Sequence, residues 1–253
     1  MKLFFRELGQ GDAIIVLHGL FGSSDNWLTQ AKLLSTNYKV FSVDQRNHGQ
    51  SPHSDDFDYQ SMVGDLNEFI EDRKISDPVI IGHSMGGKTA MNFALAHPDK
   101  ISKLIVVDIS PREYNLEHYT IVEGLKAIHI NNLSSRNEAD EVLSQYVSEP
   151  EVRQFLLKNL QRKSAGGFSW KINLPIISDK LSNIGLDLQF PGKFKKPVLF
   201  IRGARSTYVR DEDWKRIIEI LRMAELETMD TGHWVQAEKR QEFAEVAMKW
   251  LSK

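Results

Sequence analysis

Seven short runs rich in Val, Ile, Leu and Phe recur along the 253 residues, and turn residues bound each run. They are KLFFREL, AIIVLHG, YKVFSVD, PVIIGHS, KLIVVDIS, PVLFIRG and AELETMD. Between most of them, apolar residues recur three or four positions apart, which is typical of amphipathic helices. The runs are continuous rather than alternating, as in strands that are buried on both faces. The sequence therefore predicts an α/β fold whose mostly parallel sheet has helices on both faces.

The alternation of strand and helix stops between about residues 111 and 190. This segment has no convincing strand pattern, but three stretches have the apolar spacing of short amphipathic helices: EHYTIVEGLKAIHI, RNEADEVLSQYV and PEVRQFLLKNLQR. Strands resume at Pro197, and the chain closes with a predicted helix over about residues 236–251. We therefore predict a core of residues 1–110 and 191–253 with a helical insertion, residues 111–190, which we call the cap.

Composition and charge exclude several classes of function. The formal net charge is −2 without a long basic run, so nothing indicates a nucleic-acid partner. The chain has no Cys, which excludes disulfides and a Cys nucleophile, and its histidines lack the spacing of metal ligands. The apolar run in MKLFFREL is too short for a signal peptide, and none is long enough for a membrane span. We expect a cytoplasmic protein, either a monomer or a small homo-oligomer.

The stretch GHSMGGKT, residues 82–89, fits two catalytic motifs. As G-x-S-x-G it is a nucleophile elbow with Ser84 at its tip. As G-x-x-x-x-G-K-T it is a phosphate-binding loop with Lys88 and Thr89 at its reactive end. Both motifs need a strand before them and a helix after them, and the sequence predicts both. The stretch by itself leaves a serine hydrolase and a nucleotide-binding protein open.

The ends of the predicted strands favour the hydrolase. Open parallel sheets place their sites at the carboxyl ends of the strands, and Ser84, Asp108 and His233 each follow a predicted strand. A serine hydroxyl needs an imidazole to take its proton, and the imidazole needs a carboxylate to orient it. A phosphate loop usually opens the first core strand, whereas two predicted strands precede this one. Nucleotide binding through Lys88 and Thr89 is the alternative.

Backbone amides beside the elbow are expected to stabilise the oxyanion. The Met85 amide begins the helix after Ser84, where the helix dipole also favours negative charge. The second donor is expected in the loop after VLHG, with Leu20 as the first candidate and Phe21 as the next. These two amides would complete an oxyanion hole for acyl transfer.

Together these motifs resemble the α/β-hydrolase superfamily over nearly the whole chain. The matching pieces are VLHGLFGSSDNW, DQRNHGQSP, GHSMGGK, VVDISP and TGHWVQAE, and with FSWKINL in the cap they are similar to YbfF-type acyl esterases and related abhydrolase-domain proteins. The resemblance implies hydrolysis of esters or thioesters beneath a helical cap, with Ser84 as nucleophile and His233 as base. We expect short to medium acyl esters or acyl-CoA as substrates, an acyl-enzyme intermediate and no cofactor. Because lyases and perhydrolases share the fold and triad, those reactions are further alternatives.

The chain departs from the family's pattern at the acid. Many α/β-hydrolases place it after the strand equivalent to PVLFIRG, where this chain has Ser206. We expect the acid at Asp108 instead, after the preceding core strand. Asp211 and Asp213 are alternatives, although they lie near a helix start, where Asp often serves as a cap. Ser206 is expected either to donate a hydrogen bond to Asp108 or His233 or to be a plain turn serine.

The remaining polar and aromatic residues have less specific signals. In DQRNHGQS we expect Asp44, Arg46 and Gly49 to brace the loop rather than touch substrate. Lys88 is expected to be an ordinary exposed helix residue if the elbow is correct. Four aromatic residues are candidates for an acyl pocket, although each could equally be core: Phe21, Trp170, Tyr208 and Trp234. Ordinary surface or cap positions are expected for His48, His53, His97, His118 and His129.

Overall fold

A seven-stranded, mostly parallel sheet forms the centre of the computed structural model, which describes residues 1–114 and 118–253. Its strands are β1 (Phe5–Leu8), β2 (Ala13–Leu17), β3 (Lys39–Val43), β4 (Val79–His83), β5 (Lys103–Val107), β8 (Phe194–Gly203) and β9 (Leu221–Met229), and a separate pair is formed by β6 (Leu160–Arg162) and β7 (Phe168–Trp170). The sheet has the order β1-β3-β2-β4-β5-β8-β9. Only β1 is antiparallel to its neighbour. The predicted fold class is therefore confirmed.

The chain has eleven α-helices in its described part. They are α1 (Leu28–Leu34), α2 (Tyr59–Asp72), α3 (Met85–Ala96), α4 (Tyr119–Ala127), α5 (Arg136–Ser144), α6 (Pro150–Leu157), α7 (Leu174–Asp179), α8 (Leu181–Gly185), α9 (Trp214–Ile220), α10 (Val235–Glu238) and α11 (Arg240–Leu251). Of these, α1 to α3 and α9 to α11 pack on the two faces of this sheet, and α4 to α8 belong to the cap. Alternate residues of β2 show why the strands read as continuous apolar runs. Ile15 and Leu17 belong to the apolar cluster with α2 and α3, whereas Ile14 and Val16 belong to the cluster with α1 and α11. Both faces of the strand are thus buried.

The cap differs from its prediction by a β-hairpin. Its three predicted helices correspond to α4, α5 and α6, and two further short helices, α7 and α8, follow. The expectation of no strand was wrong, because β6 and β7 pair as an antiparallel hairpin. Each strand has only three residues, of which only Leu160 and Phe168 are buried, so no alternating pattern stands out. Glu117, which begins EHYTIVEGLKAIHI, lies outside the described residues.

The cap lies over the carboxyl ends of the core strands. Its apolar cluster includes Leu20 and Met85 from the core as well as residues of α4 to α8. A second set of contacts ties its last helix to the core. The Tyr59 hydroxyl donates to the Ile184 carbonyl at 2.7 Å, and the side-chain amide of Asn183 donates to the Phe57 carbonyl at 3.1 Å. The division into a core and a separate cap domain stays a prediction.

Candidate active site

Ser84 lies on a sharp turn between β4 and α3. Its backbone has φ +52° and ψ −120°, a conformation that residues with a side chain seldom adopt. Close packing around the turn requires two glycines. A Cβ on Gly82 would lie 2.3 Å from the Gly86 carbonyl oxygen, and a Cβ on Gly86 would lie 2.4 Å from that of Leu17. The G-x-S-x-G spacing therefore reflects the space that this turn leaves.

Asp108 directly follows β5 and is completely buried. Its Oδ1 accepts a hydrogen bond from the Gly203 amide at 3.0 Å. Its Oδ2 accepts one from Nδ1 of His233 at 2.8 Å and another from the Ser206 hydroxyl. Because an ionised carboxylate is only an acceptor, it can use all three hydrogens. The structure thus brings Asp108, Ser206 and His233 together.

The two alternative acids have other partners. Asp213 directly precedes α9, and its carboxylate accepts a hydrogen bond from the Arg210 amide at 2.9 Å, as the third residue of a capping box does. It also forms an ion pair with Arg112. Asp211 is 90% exposed and pairs with Arg202. Neither carboxylate contacts His233 in the described part of the chain, so the geometry favours Asp108.

Two neighbours fix the position of His233. Its ring stacks on Tyr208, with centroids 4.1 Å apart and planes inclined by 22°. Its backbone carbonyl accepts a hydrogen bond from Nε2 of His83 at 2.9 Å. Burial, with a further contribution from His233, holds the pKa of His83 well below its usual value. His83 is therefore a neutral hydrogen-bond donor. Because Nδ1 of His233 is bonded to Asp108, Nε2 of His233 is left as the proton acceptor.

The loop after β2 distinguishes the two candidate oxyanion donors. The Gly22 amide donates to the Gly19 carbonyl at 2.9 Å, which makes a tight turn. The Phe21 amide donates to Nε2 of His48 at 3.2 Å and is therefore occupied. Among the described residues, none accepts a hydrogen bond from the Leu20 amide. Leu20 is thus better suited than Phe21 to bind an oxyanion together with Met85.

Two buried histidines support this turn, and the expectation that His48 is a surface residue was wrong. His48 is fully buried, and its Nδ1 donates to the Arg46 carbonyl at 2.9 Å. Nε2 of His18 accepts from the Gln45 amide at 2.9 Å. Burial is the main cause that lowers the pKa of His18 to about 4 and that of His48 to about 3. Because both rings are neutral, each can donate from one nitrogen and accept at the other.

The DQRNHGQS loop braces itself, as expected. The Asp44 carboxylate accepts from the Ser24 amide at 2.6 Å and from the Gln50 amide at 2.8 Å. Arg46 forms a bidentate, buried ion pair with Asp65, with distances of 2.6 and 2.9 Å. These groups do not line the cleft described next.

A cleft of about 1510 Å³ lies between the core loops and the cap. Ser84 and His233 both line it, together with three of the four predicted aromatic residues, Phe21, Tyr208 and Trp234. Trp170 does not line the cleft, and its prediction as a pocket residue was wrong. It is on β7, where it packs against the apolar cluster of the cap. The pattern FSWKINL does not predict which side of the cap the Trp170 side chain faces.

The phosphate-loop alternative does not fit the positions of Lys88 and Thr89. Lys88 was expected to be exposed, yet it is 1% exposed, and its ammonium group donates to the carbonyls of Gly185 and Leu186 in the cap. The hydroxyl of Thr89 donates to the Met85 carbonyl at 3.1 Å. Neither side chain lines the cleft, so neither is placed to bind a nucleotide there.

The described part of the chain has neither a metal-binding cluster nor a helix that could span a membrane. Residues 1–114 and 118–253 contain no group of three or more His, Asp or Glu side chains that could hold a metal ion. Within the same ranges, none of the helices has both the length and the apolar character needed to cross a membrane.

Comparison with known proteins identifies the family. The model of the α/β-hydrolase fold family matches residues 12–128. The chain is 39% identical to the sn-1-specific diacylglycerol lipase ABHD11 of Mus musculus, over 95% of this chain and 81% of that protein. It is 33% identical to esterase YbfF of Escherichia coli, over 89% and 87%. A solved marine microorganism esterase superposes with a TM-score of 0.96 at 42% identity, over 98% of each chain. The chain belongs to the α/β-hydrolase family, and it is a hydrolase of the carboxylesterase type.

Proposed function

We propose that the protein cleaves short to medium acyl esters and thioesters, acyl-CoA among them, through an acyl-enzyme on Ser84. The observation that carries this proposal is the 2.8 Å hydrogen bond between His233 and the buried Asp108, at a cleft that Ser84 also lines. This arrangement supplies a nucleophile, a base and an acid in the roles that acyl transfer requires.

In the proposed first step, Nε2 of His233 takes the proton of the Ser84 hydroxyl while its oxygen attacks the substrate carbonyl. The carbonyl oxygen becomes an oxyanion between the amides of Leu20 and Met85. Its charge is further stabilised by the amino end of α3. His233 then gives its proton to the departing alcohol or thiol, and the acyl group stays on Ser84.

In the second step, His233 takes a proton from water, and the resulting nucleophile attacks the acyl-enzyme. The carboxylic acid leaves, and Ser84 regains its proton. Asp108 stays ionised and stabilises the imidazolium of His233 in both steps. The Ser206 hydroxyl donates a second hydrogen bond to Oδ2 of Asp108, beside the one from His233. The fold and the residues invoked require no cofactor for any of these steps.

Two observations support an ester substrate of some size. Several relatives are named as esterases or as an sn-1-specific diacylglycerol lipase. The cleft of about 1510 Å³ exceeds the roughly 300–1,000 Å³ of an ordinary small-molecule pocket, which leaves room for both an acyl chain and a leaving group. We propose that the cap, residues 111–190, acts as a separate domain that roofs this cleft.

The test is hydrolysis of p-nitrophenyl butyrate, in which a pH-stat measures the release of acid. A fluorophosphonate probe measures the labelling of Ser84 in a separate assay. Ser84→Ala should abolish turnover and labelling, whereas Ser252→Ala, on the exposed end of the chain, should change neither. Asp108→Asn should lower kcat by about 10⁴, because the imidazole then loses its acceptor and takes the wrong tautomer. Asp211→Asn serves as its exposed control. Turnover retained in Ser84→Ala, or p-nitrophenol release without an equal amount of acid, would refute the proposal.

A further inference from the structure

His118 is a cap residue that takes no part in the hydrogen-bond network described above. It directly precedes α4 and lines the cleft that Ser84 and His233 share. Its Nδ1 is enclosed by protein and has no hydrogen-bond partner in the described part of the chain. This position differs from the ordinary cap position expected from the sequence.

The two ring nitrogens of His118 have different surroundings. Nδ1 is enclosed by protein and has no hydrogen-bond partner in the described part of the chain, a combination that Nε2 does not share. A neutral imidazole carries one N–H, and a buried N–H without a partner is rare in proteins because it is costly. The proton therefore belongs on Nε2, on a ring that lines the cleft. His118 thus presents one unused donor to whatever occupies the cleft.

The charge of His118 limits what it can recognise. Burial, and secondarily the charge of protonated His233, lower the pKa of His118 to about 4. The ring is therefore neutral at pH 7, and it lies within electrostatic reach of His233. A neutral N–H suits an uncharged oxygen, whereas a phosphate or carboxylate is bound more strongly by a cationic donor.

The neighbourhood of His233 indicates which part of the substrate His118 meets. In a serine hydrolase the histidine passes its proton to the leaving group, so a donor near that histidine borders the alcohol part of the ester. We propose that His118 is a specificity-determining residue that donates a hydrogen bond from Nε2 to an uncharged oxygen in the leaving group. The substrates it favours are esters of polyols, in which a hydroxyl or a second ester carbonyl supplies that oxygen. This inference rests on the proposed function.

The test compares two substrates that differ only in the hydroxyls of the leaving group. Glyceryl monobutyrate and n-propyl butyrate share the acyl group and a three-carbon alcohol, but only the first has hydroxyls on the leaving group. His118→Phe keeps a ring without a donor, and it should lower kcat/KM for glyceryl monobutyrate roughly five- to tenfold. For propyl butyrate the change should stay within about twofold, because no hydrogen bond is lost.

Two variants control for packing and for the site of substitution. His118→Gln places an amide N–H near the position of Nε2 and should restore most of the preference for glyceryl monobutyrate. His129→Phe makes the same change at an exposed cap residue outside the cleft and should leave both substrates unaffected. Equal losses on both substrates in His118→Phe, or no loss on either, would overturn the inference. Failure of the proposed function is distinguishable, because Ser84→Ala would then retain hydrolysis of propyl butyrate.

Discussion

The buried amine of Lys88 should make the stability of this protein depend on pH. Burial is the main cause that lowers the pKa of Lys88 from its ordinary value of 10.5 to about 7. Asp187 and Glu113 oppose this lowering, whereas Arg112 and Arg216 add to it. The ammonium group also meets the rings of Tyr59 and Tyr114, at 5.9 and 4.8 Å from their centroids. Because burial outweighs these favourable contacts, the protonated form is more costly in the folded than in the unfolded chain.

The sign and size of the effect follow from this difference. Between pH 7 and pH 10.5 the unfolded chain binds more protons at Lys88 than the folded chain does, so the free energy of unfolding rises as the pH rises. One group contributes at most about 1.4 kcal/mol per pH unit, which gives about 2 kcal/mol between pH 7 and pH 9. A neutral amine keeps two N–H groups, which are enough for the carbonyls of Gly185 and Leu186. Deprotonation therefore need not break these contacts.

Lys88→Met isolates this contribution because Met is similar in length and does not titrate. Urea unfolding at pH 7, 8 and 9, followed by tryptophan fluorescence, would give the free energy of unfolding of both proteins. Wild type should gain about 2 kcal/mol relative to Lys88→Met over this range. The exposed Lys215→Met on α9 is the control and should run parallel to wild type. Parallel curves for wild type and Lys88→Met would show that the folded structure does not lower the pKa of Lys88.

Two further substitutions test other contacts of the structure. Ser206→Ala removes one of three donors to Asp108, so kcat/KM for p-nitrophenyl butyrate should fall roughly five- to tenfold. An unchanged kcat/KM would make Ser206 a plain turn serine. Arg46→Met leaves the buried carboxylate of Asp65 short of its main partner and should lower the free energy of unfolding by about 3 kcal/mol. Urea unfolding measures this, and adding Asp65→Leu should recover most of the loss; an additive double variant would contradict the pairing argument.

The sheet could be predicted because its strands are buried on both faces. Such strands are continuous apolar runs, so each one stands out from the flanking helices without any knowledge of the fold. The end of each run also marks the sheet edge where the polar groups meet, which is how Ser84, Asp108 and His233 could be proposed together. The β6–β7 hairpin could not be found this way, because only two of its six strand residues are buried and its strands are short.

The residues that were misplaced depend on contacts distant in the sequence. Lys88 is buried by carbonyls of residues 185 and 186, which no local pattern connects to α3. His48 is buried because it supports the loop at Phe21, 27 positions earlier. The pattern GHSMGGKT shows only that Lys88 follows the elbow, and helical spacing does not reveal what packs over that face. A buried polar side chain could therefore not be distinguished from an exposed one.

The contacts of the last cap helix bear on exchanging caps between related enzymes. Three side chains join α8 or the residue after it to the core: the Tyr59 hydroxyl, the side-chain amide of Asn183 and the Lys88 ammonium group. The Asn92 side chain adds a hydrogen bond from the Gln189 amide at 2.7 Å. A chimera that replaced the whole of residues 111–190 with another enzyme's cap would remove the cap partner of each of these contacts. The crossover point for a chimera belongs before α8, so that residues 181–190 stay with the core to which they are fitted.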